Sequence, residues 1–347
     1  MRIDLQLILR GLAAFWVMYW HFIAAYIDNI FRYILIPGRT AVWIFFGLSG
    51  YVIFYGFESG KYQLWLSDLR RFYRNRFLRI YPLFILGTFS VLLIKFLKNQ
   101  TLPTLDINFF LTQILAIQYF HIYDLNGVFW TLGIEMWFYL FAPFFYFLLR
   151  SVHSIKIAIA IYVFLLFLVA IEIIYFKSPD VRTLTSNLCH FYIGFIAVRF
   201  GPRLYTKLHW SNISMFSLAL MAFLFSGFCM GFAKHFSGFH PFFTFGILAV
   251  DAGILLVLML QPTFELKTNS SLLIKGLILL GTISYGVYVW HQIVFLAFID
   301  INIHTTKVER YITHGLMILT LMWAWFIYKF YESRFLSHKK YKVINHR

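Results

Sequence analysis

The sequence predicts an all-α, polytopic integral membrane protein with about ten transmembrane helices and both termini cytoplasmic. Three observations predict it. Of 347 residues, 61% are hydrophobic and only 13% charged, where soluble domains carry roughly 45–50% and 25%. Segments of about 20 apolar residues recur, each long enough to cross about 30 Å of hydrocarbon. The Lys and Arg residues fall unevenly on the two sides of these segments, as cytoplasmic loops require.

Spans are predicted near residues 5–27, 39–57, 80–97, 128–149, 157–176, 184–200, 213–233, 242–260, 272–298 and 311–331. The first is too long for a cleaved signal, and no small-residue cleavage site follows it, so it reads as a retained helix. Arg10 and His21 interrupt it eleven residues apart. At about 100° per residue both lie on one helix face, about 16 Å apart along the axis. An ionisable group inside a span costs about 2.5–3.5 kcal/mol on insertion scales and so marks a cavity or a chemical site.

Phe46, Gly47, Ser49 and Gly50 read as a close-packing face of the second span, because small residues let membrane helices approach. Before the third span, RRFYRNRFLRIYP at 70–82 sets five arginines on the cytoplasmic side. They suit positive-inside decoration, lipid headgroups or a phosphate site. Arg76 and Arg79 share a helix face, and Pro82 is tolerable near the start of its span. Residues 107–120 are short for a span and suit an interfacial or re-entrant helix.

The fourth span opens VFWTLGIEMWFY, with Thr131 and Glu135 four apart on one face. Trp130, Trp137 and Tyr139 serve as interfacial anchors or as packing. Asp251, near the middle of the eighth span, is either paired or lines the cavity. ISYGVYVWH at 283–291 puts Tyr288 and His291 on one face of the ninth. Cys189 and Cys229 lack disulfide or zinc-ligand spacing and read as packing residues.

Charge arbitrates the topology. With ten spans and a cytoplasmic N-terminus, 21 of the 30 basic residues lie inside; letting 107–120 cross leaves 13. The net charge of +16 therefore belongs to cytoplasmic loops. No soluble stretch is long enough for a nucleic-acid module. One membrane domain covers 1–335, followed by a short basic cytoplasmic tail at 336–347. In this topology His21, Glu135 and His291 all lie about 9–11 Å below the outer boundary. Two imidazoles and a carboxylate at one depth suit a catalytic cluster.

Five blocks, in order, resemble the membrane acyltransferase-3 family, whose members acylate surface glycans and other acceptors. They are LRGLAAFWVMYWHF at 9–22, IFFGLSGYVIF at 44–54, RFLRIYPLF at 76–84, WTLGIEMWFY at 130–139 and ISYGVYVWH at 283–291. The closing YESRF at 331–335 only partly matches the family's acidic ending. The resemblance implies a stand-alone O-acyltransferase, most often an O-acetyltransferase, in a bacterial cytoplasmic (inner) membrane. It implies acetyl-CoA or another acyl-CoA as donor, a surface polysaccharide or lipid-linked glycan as acceptor, and no metal. It makes His21 the catalytic histidine, acting as general base or transient acyl carrier, and Glu135 the carboxylate that orients or tunes an imidazole. Arg10, Arg76 and Arg79 become donor-binding, with Thr131, Tyr288 and His291 in support. The rival reading is a polytopic transporter or flippase for a glycan or lipid-linked precursor, although the interrupted, repeated halves of many transporters are absent.

Overall fold

In a computed structural model, the structure describes residues 4–23, 38–98, 100, 102, 107–114, 126–176, 182–233, 241–261, 272–298 and 307–336. These residues are helical, with short connections. The helices are α1 (Leu5–Ile23), α2 (Gly38–Glu58), α3 (Leu66–Leu97), α4 (Ile107–Ile114), α5 (Phe129–Leu149) and α6 (Ile155–Phe176). After them come α7 (Leu184–Leu208), α8 (Asn212–Ala233), α9 (Pro241–Leu260), α10 (Leu272–Thr282), α11 (Ser284–Phe298) and α12 (Lys307–Ile327). A π-helical turn, Tyr328–Glu332, prolongs α12.

Local chemistry sets several ends. The Asp4 carboxylate accepts from the Leu7 amide at 3.1 Å and caps α1. Thr183 and Ser186 form a reciprocal capping box at the start of α7. The arginine-rich segment continues the third span as one 32-residue helix that runs through Pro82. Beside that proline, the Ile80 carbonyl accepts from Tyr285 at 2.8 Å and the Pro82 carbonyl from Tyr331 at 3.1 Å. These bonds tie the arginine-bearing helix to α11 and the π turn.

Among the described residues, seven helices are long and apolar enough to cross a membrane, or eight if α10 and α11 form one span. The segment expected as a single ninth span is bent by 71° between α10 and α11. The expected first and sixth spans are helices of 19 and 25 residues, α1 and α7. Both fall outside that group: Arg10 and His21 in the first, and Asn187, His190, Arg199 and Arg203 in the second, lower their apolarity. The ambiguous 107–120 segment holds the eight-residue α4, about 12 Å long and too short to span. Residues 115–120 lie outside the described set.

α2 sits at the centre, packed by α1, α7 and α9, while α6 exposes most of its surface. α1 also packs on α10, α11 and α12. Of the predicted close-packing face, Gly50 does what small residues allow: a Cβ there would strike the Phe191 carbonyl of α7. Ser49, on the same helix, faces a different partner.

Candidate active site

Two polar clusters lie along α1. The first surrounds His21. Its Nδ1 is 2.8 Å from the Val17 carbonyl oxygen. A carbonyl only accepts, so Nδ1 carries the hydrogen and the Nε2 lone pair of the neutral ring is free. The His291 ring lies 5.0 Å away between centroids and is held the same way, Nδ1 to the Val287 carbonyl at 3.2 Å. His291 is fully buried, and its Nε2 has no hydrogen-bond partner among the described residues. Tyr288 stands 5.8 Å from His291, ring to ring, and its hydroxyl is 2.5 Å from Thr131 Oγ1. Thr131 in turn donates to the Val128 carbonyl at 2.8 Å. The structure thus brings His21, His291, Tyr288 and Thr131 together.

Glu135 belongs to the second cluster. Its Oε1 accepts from Ser49 at 2.5 Å and from Tyr139. The carboxylate expected to orient His21 instead joins α5 to α2, and backbone carbonyls orient the imidazoles. The register of α5 explains the difference: Thr131 lies in the first helical turn, level with Tyr288, and Glu135 lies one turn deeper. There it shares an electrostatic environment with Arg10, Arg76, Arg79 and Tyr139. The Arg76 guanidinium lies 5.4 Å above the Tyr139 ring. Of the other arginines in the run, Arg71 pairs with Asp68 at 3.0 Å. The four predicted members of this region, Arg10, Arg76, Arg79 and Glu135, thus gather in one place, together with Tyr139.

Sequence reasoning missed Ser49, Tyr139 and Glu332 as members of the site. Tyr139 was legible as the i+4 neighbour of Glu135. Glu332, at the end of the π turn, is buried, lies near Arg79 and Arg10, and has one carboxylate oxygen without a partner among the described residues. Single-turn π segments often mark functional sites.

Asp251, left open above, is paired. Its oxygens lie 2.8 Å from His190 Nδ1 and 2.6 Å from the Tyr162 hydroxyl, and Trp43 stacks on His190 at 4.7 Å. Cys189, His190 and Asp251 bring ligand atoms within 4.8 Å of one another. Three ligands of this kind fall short of the four in a closed structural zinc site, and both Asp251 oxygens already have partners.

A multi-pass helical bundle with paired imidazoles, hydroxyls and clustered arginines in two polar clusters along one helix has the makings of a membrane-embedded group-transfer enzyme. The chain belongs to the acyltransferase-3 family, whose acyltransferase-domain model matches residues 5–329. It is therefore an acyltransferase of the membrane, as its five motif blocks lead one to expect. It is 28% identical over 297 residues to the "Putative acetyltransferase ORF330" of Acidianus two-tailed virus, covering 82% of this chain and 80% of that one. No solved structure matches.

Proposed function

We propose that the protein moves an acyl group, most often acetyl, from cytosolic acyl-CoA to a hydroxyl of an extracytoplasmic or lipid-linked carbohydrate. In this reading ten spans, with α1 and α7 among them, set both termini in the cytoplasm of a cell whose cytoplasmic membrane holds the chain. Arg76 and Arg79 face the donor phosphates from the inner side, and Arg10 lies on the thioester's path. His21 Nε2 takes the proton of the acceptor hydroxyl as its oxygen attacks the thioester carbonyl. Tyr288 or Thr131 donates to the developing oxyanion. The tetrahedral intermediate collapses, the C–S bond breaks, and the proton held on His21 Nε2 passes to the CoA thiolate, which restores the neutral imidazole. Glu135 holds the arginine cluster in register rather than orienting the imidazole. Acid–base chemistry of this kind requires no metal.

The observation that carries the reading is the fixed orientation of His21. Its Nδ1 hydrogen goes to Val17, which leaves Nε2 as a base beside His291. Family membership favours this enzyme over a transporter or flippase.

The test is transfer of labelled acetyl from acetyl-CoA to purified surface glycan by the protein reconstituted in vesicles. His21→Ala is expected to abolish transfer at normal expression. Full activity in that variant would remove His21 from the chemistry.

A further inference from the structure

The arginines of the 70–82 run do not share one face of α3. This helix has 32 residues and is about 48 Å long, about 18 Å more than the hydrocarbon it crosses. Its five arginines and Asp68 all lie in the first half, so the apolar half occupies the hydrocarbon and residues 66–77 stand at headgroup level. At about 100° per residue, Leu66, Arg70, Tyr73, Arg74, Phe77 and Tyr81 fall in one sector of about 100°. The sector faces outward: Leu66 is 65% and Phe77 51% exposed, and Arg70 and Arg74 are exposed. Ile85 and Phe89, also exposed, carry this outer surface on into the bilayer. Arg76 and Arg79 lie outside the sector and are half-buried, with Arg76 over the Phe72 and Tyr139 rings at 5.8 and 5.4 Å. Arg71 is held by Asp68 and by the Lys61 carbonyl. Arg70 and Arg74, one turn apart, have no hydrogen bond or ion pair to any described residue.

We infer that the outer face of α3 is a docking surface for an anionic phospholipid, whose headgroup phosphate sits between Arg70 and Arg74 and whose chain lies against Phe77 and Tyr81. The two rings stack at 4.3 Å, and aromatic side chains at this level mark a membrane interface. Arg74 and Arg70 come three and seven residues before Phe77, about 5 and 11 Å further along the axis. The headgroup layer is about 5–8 Å deep, and long arginine stems let the guanidiniums turn back into it. A guanidinium offers phosphate oxygens a planar fork. Asp68 does not oppose the phosphate: it lies on the other side of the helix, engaged with Arg71 and with the Gln63 amide at 2.9 Å. The pair continues the lipid-facing stripe, away from the interior that Arg76 and Arg79 face, and this favours a lipid over a soluble phosphate. The inference needs only that α3 crosses the membrane and is independent of the acyl-transfer reading.

The experiment takes the full-length protein, stripped of lipid in detergent, and offers it phosphatidylglycerol or phosphatidylcholine. Retained lipid is counted by native mass spectrometry. Each arginine beside an anionic headgroup contributes about fivefold, so phosphatidylglycerol is expected to bind about thirtyfold more tightly. The preference should shrink as sodium chloride is raised. Arg70→Gln combined with Arg74→Gln should remove at least about tenfold of it. Arg203→Gln combined with Lys207→Gln takes the same charge from an exposed pair on α7 and should change it by less than about twofold. Equal retention of the two lipids by the unmodified protein would overturn the inference, and that comparison needs no variant. An equal loss in both double variants would also overturn it, because the binding would then follow general surface charge. Release of the lipid by inorganic phosphate, but not by sodium chloride of the same ionic strength, would make the pair a site for soluble phosphate and overturn it too.

Discussion

Hydroxyl protons are countable, and at Tyr288 the count has a consequence. Thr131 has one hydroxyl proton and donates it to the Val128 carbonyl. The Tyr288 hydroxyl lies 2.5 Å from Thr131 Oγ1 and 3.3 Å from the same Val128 carbonyl, so with the Thr131 proton on Val128 the Tyr288 proton serves one of these two neutral acceptors. A developing oxyanion is a better acceptor than either neutral oxygen, so Tyr288 is the group that can turn to it. Replacing Tyr288 by Phe is expected to lower kcat about 10²-fold, the scale of losing one oxyanion donor. The KM for acyl-CoA should hold, because the arginines lie elsewhere. Steady-state kinetics with both substrates varied checks this. An intact kcat with a stability loss of about 1 kcal/mol would show the hydroxyl to be a structural bond and shift the role to Thr131.

Helix crossings decide which side chains meet. At the α2–α7 crossing, a Cβ on Gly50 would run into the Phe191 backbone, which cannot swing aside. Gly50→Ala should therefore destabilise the detergent-solubilised protein by about 1–3 kcal/mol, read as a lower thermal midpoint. Gly276→Ala on α10, where nothing lies within 4 Å of the new atom, should leave the midpoint unchanged or slightly raised. An unshifted Gly50→Ala protein would mean that the crossing is looser than described. The same crossings limited what the sequence could tell. Periodicity put Arg10 with His21, and Thr131 with Glu135, on shared helix faces, and it paired Tyr288 with His291. It could not supply the register of α5 against α2, which directs Glu135 to Ser49 and leaves the imidazoles to backbone carbonyls. The bend at α10–α11 was equally hidden, since hydropathy is continuous through 272–298 and carries no proline. Glu332 was visible in YESRF, but only the π turn brings it to the arginines.

At the scale of the whole molecule, composition was enough for a helical membrane protein, and charge counting supplies the orientation proposed above. Hydropathy was weakest where polar side chains enter the helices. α1 carries Arg10 and His21, and α7 carries Asn187, His190, Arg199 and Arg203, so these two helices look least like spans. The topology can be tested without touching the site. Both native cysteines are buried, so a membrane-impermeant maleimide should label the unmodified protein poorly. Trp65 lies between α2 and α3 and is 71% exposed. A cysteine there should react only when the cytoplasmic face is opened to the reagent. A cysteine replacing Asp124, in the segment assigned outside, should react in intact cells. Opposite labelling puts an odd number of crossings between residues 65 and 124, which α3 alone provides. Labelling from one side would require a second crossing between residues 98 and 124, which would reverse every later loop and overturn the ten-span orientation.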